Sequence, residues 1–413
     1  MFNHYQLRPK TVISVFEHDR LTIDDEHFKK RHLDALLKLN EAHDFDYFDP
    51  IRDGIKFKQY VGVIQVDNLT IEILPKADRE GDTDAWRNVL LQMLRTCHKL
   101  KASTYGDANV KRTNLNLLEI YFSIFLNEIS GIMRQGLIKK YRKETSSMNS
   151  LKGKIIFSKH LKESIVHKER FYTEHQIYDK DHQLNQILKA AICIVEQFTR
   201  GTHLFDHCKR IIFDFPEVSE INITKKLLDS FQITRKTSPY AKAFDIARLI
   251  LLNYSPDISS GSEKMLALLF DMNKLWEEYV TITLREELKN SNVTIIAQDS
   301  KPFWGDNSLS PDIVIENGDD ILIIDTKWKT PGYSSASNHD LRQMYTYNRY
   351  WNATKAVLLY PGKSNAYDYS PFLNQNDNVK HTCKMAFVSV VDENGSINKG
   401  FAGDLRKVFQ IQL

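Results

Sequence analysis

Pro311-Asp312-Ile313-Val314-Ile315-Glu316-Asn317-Gly318-Asp319-Asp320-Ile321-Leu322-Ile323-Ile324-Asp325-Thr326-Lys327-Trp328 is the stretch that decides the fold. Two aliphatic, β-branched runs flank Asn317-Gly318-Asp319-Asp320, a composition suited to a tight turn between antiparallel strands. With those four residues as the loop, Glu316 pairs with Ile321 and Asp312 falls opposite Asp325. Cross-strand partners project to one face. Lys327, two residues past Asp325, shares that face. A three-residue loop would break this register, so the convergence of two carboxylates and one ammonium depends on loop length.

Two facing carboxylates repel, and without a counter-ion one of them has a raised pKa. A divalent cation removes the conflict, and oxygen ligands completed by water suit Mg²⁺ or Mn²⁺. Such a cation would lower the pKa of a water and neutralise charge on a phosphodiester oxygen. Lys327 would orient the attacking water or stabilise the developing charge. The plainer alternative is that Asp312 caps a turn while Asp325 and Lys327 form a surface ion pair. Pro311-Asp312 followed by Asp325-Thr326-Lys327 nevertheless matches the PD-(D/E)xK nuclease pattern. In that family a further acidic residue commonly lies on an upstream helix, here within Leu275-Trp276-Glu277-Glu278-Tyr279-Val280, which makes Glu277 a third candidate ligand. Downstream, Gln343 and Tyr347 form the QxxxY motif that RecB-like nucleases carry after the lysine. Four residues apart, they share a helix face, either touching a phosphate or buttressing Lys327, or else serving as a capped glutamine and a core tyrosine.

Outward from this stretch, the chain of 413 residues predicts two or three domains with real cores. Its 42% apolar and 26% charged content and its net charge of +3 exclude wholesale disorder and a strongly charged tail. Cys97, Cys193, Cys208 and Cys383 are far apart with no CxxC pair, so free thiols are expected rather than a disulfide framework or zinc site. The N-terminus lacks the apolar run of a signal peptide. The apolar stretch 115–133 is interrupted by Glu119 and Glu128, so a buried helix is expected rather than a membrane span.

The fold class expected is α/β in three parts: a mixed α/β domain at 1–105, a helical and basic region at 106–255, and a nuclease-like α/β domain at 256–413. In the first, 61–66 and 69–74 read as a hairpin, with helices near 24–40 and 84–98. In the second, helices are expected near 115–133, 183–199 and 240–253, and 255–262 reads as a linker. In the third the order is a helix at 265–288, the hairpin 312–325, a helix at 340–351, then strands at 355–360 and 385–391, a layered α/β arrangement.

Further motifs resemble the McrC family, the nuclease subunit of modification-dependent McrBC restriction systems. They are Ile73-Leu74-Pro75-Lys76, the basic Leu151-Lys152-Gly153-Lys154, the stretch Asp181 to Lys189, Phe270 to Glu277, and the Asp312, Asp325 and Lys327 block. The resemblance implies a cytoplasmic DNA endonuclease that binds Mg²⁺, cuts DNA bearing modified cytosine in antiviral defence, docks on a McrB-like hexameric AAA+ GTPase ring and stimulates its GTP hydrolysis. It also implies that residues 1–105 dock on the partner. The competing readings are a non-catalytic activator of the ring and a standalone nuclease. Gly131 to Gly136 is followed by Leu137 and Ile138 where a phosphate-binding loop needs Lys and Ser/Thr, so no nucleotide is expected on this chain.

Between Arg134 and Arg170 the charge is +8, whereas 256–413 carries −4. Lys139, Lys140, Arg142, Lys143, Lys152 and Lys154 are therefore candidates to track double-stranded DNA through its phosphates, the alternative being a solvated face or one that meets an acidic partner. His160, His167, His175 and His182 lack metal-ligand spacing and are expected at the surface.

Overall fold

The computed structural model describes residues 11–42, 47–76, 83–97, 99, 116–163, 169–255, 264–329, 336–373, 379–392 and 396–410. The described residues divide into two compact units, one drawn from 11–102 and 257–413 and the other from 103–256. The first and third expected domains thus share one unit. A strand of the third joins the sheet of the first.

That sheet places β1 (Thr11–Phe16) parallel to the second arm of the expected hairpin. The hairpin itself is β2 (Tyr60–Val66) and β3 (Leu69–Leu74), turned at Asp67 and Asn68 with Asp67 at φ 52°. Antiparallel to β2 runs β4 (Met265–Asp271), from Met265 opposite Val66 to Asp271 opposite Tyr60. Helices α1 (Lys30–Ala42) and α2 (Thr83–Thr96) belong to the same unit, α1 starting later than the expected 24. Phe28, Leu36, Leu39, Phe48, Ile55 and Phe57 pack with Ile64 and Ile71 of the sheet into one core.

The helix expected at 265–288 begins only at α3 (Met272–Glu287). Met265-Leu266-Ala267-Leu268-Leu269 is a continuous apolar run, which periodicity cannot divide between a helix and a fully buried strand. Asp271 sets the boundary, its side chain accepting from Asn273 N at 2.9 Å and Lys274 N at 3.3 Å as the helix cap.

The second sheet of this unit contains β5 (Ile313–Asn317) and β6 (Asp320–Thr326), antiparallel as expected, with Glu316 opposite Ile321. The turn is Gly318-Asp319, with Gly318 at φ 62°, the single positive φ of a II′ hairpin. Then α4 (Asn338–Trp351) crosses back so that β7 (Lys355–Pro361) lies parallel to β6, and β8 (Thr382–Val388) parallel to β7. Met344, Tyr347 and Trp351 of α4 pack on Val314, Ile323, Leu358 and Tyr360. The last helix, α5 (Phe401–Phe409), packs against α3 and β8.

The other unit carries the expected helices, at Leu117–Gln135, Gln183–Thr199 and Ala241–Leu252. Ile120, Tyr121, Phe125 and Leu126 of the first are buried, so its apolar face serves a core. Among the described residues no helix is long and apolar enough to cross a membrane. This region is not helical throughout. Lys140–Met148 and Phe171–Asp179 form a long antiparallel ribbon, with Lys154–Ile155 on its second edge. The basic run has no apolar stripe at helical spacing, and its exposure alternates with period two from Tyr141 onward, as a strand's does. His175 and His182 are buried, contrary to the surface placement expected; His167 and nearly all of the expected linker lie outside the described residues. The four cysteines are free, and Cys97, Cys208 and Cys383 are buried.

Candidate active site

The β5–β6 register runs to Ile313 opposite Ile324 and stops one pair short of the expected Asp312 and Asp325. Asp312 Oδ2 instead accepts from Thr326 N at 2.6 Å and Thr326 Oγ1 at 2.8 Å. Asp325 is 1% exposed at the end of β6. Lys327 N extends the parallel ladder by donating to Leu359 O at 2.8 Å, so its side chain keeps the face of Asp325. Lys327 Nζ lies 2.6 Å from Asp325 Oδ2.

Helix α4, capped by Ser337 through Asp340 N at 3.0 Å, adds the next layer. Lys327 Nζ is 3.5 Å from Gln343 Oε1. Gln343 Nε2 donates to Tyr347 Oη at 2.8 Å, and that hydroxyl donates to Ser310 O at 3.0 Å. Of the three readings open from sequence, these bonds have the form of a buttress behind Lys327, and Tyr347 is at the same time a core residue. Tyr347 uses both roles of its hydroxyl to fix the glutamine amide, which leaves Gln343 Oε1 for the ammonium.

Glu277, on α3, approaches the same carboxylates. Its Oε1 accepts from Gln298 Nε2 at 2.8 Å, and Gln298 N donates to Asp312 O at 3.0 Å. Gln298 has no sequence signal. It stands at φ 49°, the left-handed region that non-glycine residues seldom occupy, with its amide on the Glu277 carboxylate and its main-chain N on the Asp312 carbonyl. A cleft of about 710 Å³ opens beside Glu277 and Gln298, with Lys274 and Arg285 on its walls.

Burial pushes the Glu277 carboxyl up to about 7, aided by repulsion from Asp312 and Asp325 and opposed by Gln298. Asp325 is also raised, by burial and then by Asp312, with Lys327 pulling the other way. Burial raises Asp312 against the hydrogen bonds of Thr326. Burial pulls the Lys327 ammonium down, but Asp325 and Asp312 outweigh it, and its pKa stands above the ordinary lysine value. Asp312 and Asp325 thus share one ammonium while Glu277 adds a third, repelling carboxylate, a deficit of positive charge.

Among the described residues no three His, Cys, Asp or Glu side chains form a ready-made cage for a metal. Mg²⁺ does not need one, because it keeps several waters and takes one or two carboxylates plus substrate phosphate oxygens. Asp325 Oδ2 is buried, and the Lys327 ammonium 2.6 Å away is the cation it meets. Hard oxygen donors and the charge deficit fit a hard divalent cation.

The six basic candidates are on the other unit, and their contacts differ. Arg142 is held at 2.7 Å by Glu144 and 3.0 Å by Asp179, with Asp181 at 3.8 Å. Lys143 lies 3.5 Å from Glu174. Lys139 and Lys140 sit over the rings of Tyr178 and Phe231, and Lys152 and Lys154 are exposed. Acids of the partner strand therefore offset part of the +8 run.

Comparison with known proteins sets this geometry in context. Residues 55–361, which include all six site candidates from Glu277 to Tyr347, match the family described as McrBC 5-methylcytosine restriction system component. The type IV methyl-directed restriction enzyme EcoKMcrBC of Escherichia coli (strain K12) is 22% identical over 242 residues, spanning 53% of this chain and 68% of that protein. A refined half-complex from the tetradecameric assembly of Thermococcus gammatolerans McrB AAA+ hexamers with bound McrC contains a chain of similar fold. The TM-score is 0.72 at 20% identity, covering 97% of this chain and 99% of that one. A chain of the Thermococcus gammatolerans McrBC complex matches at TM-score 0.51 and 22% identity, over 67% of this chain and 88% of that one.

Proposed function

The chain belongs to the McrBC 5-methylcytosine restriction system component family, and on that premise we propose that it is the DNA-cutting subunit of such a system. It is a Mg²⁺-dependent endonuclease, served also by Mn²⁺, that hydrolyses phosphodiester bonds of double-stranded DNA bearing modified cytosine. It works docked on a McrB-like AAA+ GTPase ring, whose GTP hydrolysis it stimulates, and it binds no nucleotide itself. The cytoplasm, where modified DNA would be met, is its place of action.

The observation that carries this reading is the convergence of Asp312, Asp325 and Lys327 at the open ends of β5 and β6, backed by Gln343 and Tyr347. Asp312 and Asp325 would hold the cation, with Glu277 on the third side. Bound there, the cation supplies Lewis-acid stabilisation of the phosphate and lowers the pKa of a water. Thr326 keeps Asp312 oriented through two hydrogen bonds. The Lys327 ammonium, charged at neutral pH, is placed to orient the attacking water or to meet charge growing on the phosphate oxygens. Gln343 holds that ammonium and Tyr347 holds Gln343, so little reorganisation is left for the reacting complex. The partner reading is supported by the similarity to a chain from an assembly of McrB hexamers with bound McrC.

The test is cleavage of methylcytosine-containing and unmodified duplexes, each with and without the ring, GTP and Mg²⁺. Cutting is expected only of the modified duplex, and only with all three present. Cutting in EDTA would refute the metal assignment, and cutting without the ring would favour a standalone nuclease.

A further inference from the structure

Glu17, directly after β1, is a buried carboxylate, 2% exposed, that the cleavage chemistry above does not use. Its Oε1 accepts two hydrogen bonds, from Lys76 N at 2.9 Å and from Trp328 Nε1 at 2.5 Å. Its Oε2 is buried without a hydrogen bond, and His18 Nε2 stands 3.9 Å from it. Carboxylates are rarely kept in such a place, because desolvation costs several kcal/mol unless donors or a cation offset it. Burial pushes Glu17 up to about 7, while Lys76 N and the Trp328 indole stabilise the charged form.

What Glu17 grips is the residue after Lys327. Strand β6 ends at Thr326, and Lys327 N is the last ladder donor, to Leu359 O. The next anchor along the chain is the Trp328 indole. Its ring lies 5.3 Å from that of Trp276, which itself packs on Phe401 at 5.7 Å. Trp276 is fully buried and immediately precedes Glu277. The two indoles therefore stand behind both arms of the site, one beside Lys327 and the other beside Glu277. The sheet of β1 and β3, ending in Leu74-Pro75-Lys76, reaches the catalytic strand through this carboxylate.

We propose that Glu17 is a positioning residue for phosphodiester cleavage: by fixing the Trp328 indole it sets the placement of Lys327 and, through Trp276, of Glu277. This rests on the nuclease reading above. An ångström of misplacement in a preorganised site costs about 100-fold in rate, so the effect belongs in kcat rather than in DNA affinity.

The experiment compares Glu17→Ala, Glu17→Gln, Trp328→Phe and the Glu17→Ala/Trp328→Phe pair in the assembled complex with the ring, GTP, Mg²⁺ and modified duplex. Glu17→Ala is expected to lower kcat by roughly 10- to 100-fold with KM for DNA nearly unchanged. Glu17→Gln keeps an acceptor oxygen and restores most of the rate. Trp328→Phe keeps an aromatic ring while removing the N–H donor together with the pyrrole half of the indole. It lowers kcat in the same way, so it carries the test should Glu17→Ala fail to fold. The double variant is expected to be no slower than the slower single, because both break one interaction. Full kcat in Glu17→Ala or in Trp328→Phe, or losses that add in the double variant, would overturn the inference. Two controls separate it from its premise. If the unaltered chain cuts and Asp325→Ala does not, a fast Glu17→Ala defeats this inference alone. If the unaltered chain does not cut at all, the nuclease reading fails and this inference with it.

Discussion

At the scale of single residues, the site is built from side chains whose protonation is set by burial and then by one another. The pairs two or four apart in sequence, Asp325 with Lys327 and Gln343 with Tyr347, are legible in the sequence itself, because strand and helix periodicity alone put them on common faces. Gln298 and Glu17 are not. Their roles come from a left-handed backbone and from burial against distant segments, which spacing does not encode. Tyr347→Phe removes the hydroxyl that links Gln343 to Ser310 O. It is expected to cost on the order of 1 kcal/mol of stability by denaturant titration and to slow cleavage, with DNA affinity retained. Glu17 makes a pH prediction. Its native pKa of about 7 stands above the ordinary 4.5, so the folded chain holds that proton more tightly than the unfolded one. Its contribution to stability is therefore greatest below pH 4.5 and is lost as pH rises through 7. Unfolding of Glu17→Gln and the unaltered chain at pH 5 and pH 8 should show the variant gaining, relative to its parent, on the order of 2 kcal/mol. A pH-independent difference would contradict the assignment.

At the scale of elements, long amphipathic helices and the two hairpins can be read from sequence, down to the ends of Gln183–Thr199. Two readings fail for one reason each. The apolar run that forms β4 carries no period, and the basic ribbon has no apolar stripe, since its strands pair with each other. The β2–β4 pairing depends on Gly62, at φ 140°, where an added Cβ would lie 2.0 Å from Leu268 O. Gly62→Ala therefore strains the backbone and pries β4 from the sheet. A loss of at least about 3 kcal/mol is expected, read by thermal unfolding, with hydrogen exchange rising first in β4. A mild effect would mean that the two strands are not so closely held.

At the scale of the whole chain, the net charge of +3 averages unlike regions, with the basic run in one unit and the acidic site in the other. The ribbon refines that picture. Arg142 is paired with Glu144 and Asp179, while Lys152 and Lys154 are exposed and Lys139 and Lys140 meet no carboxylate among the described residues. Reversing Lys139, Lys140, Lys152 and Lys154 to Glu is expected to weaken DNA binding by the assembled complex and to flatten its dependence on salt. Arg142→Gln should chiefly destabilise the ribbon. An unchanged salt slope in the fourfold variant would remove this face from the DNA path.

The most direct measurement is cleavage of methylcytosine-containing duplex by the complete complex, with GTP and Mg²⁺, comparing the unaltered chain with Asp325→Ala. Loss of cleavage by at least about 100-fold, with stimulated GTP hydrolysis intact, is the expected result. Cleavage by Asp325→Ala at an undiminished rate would contradict the assignment of the site.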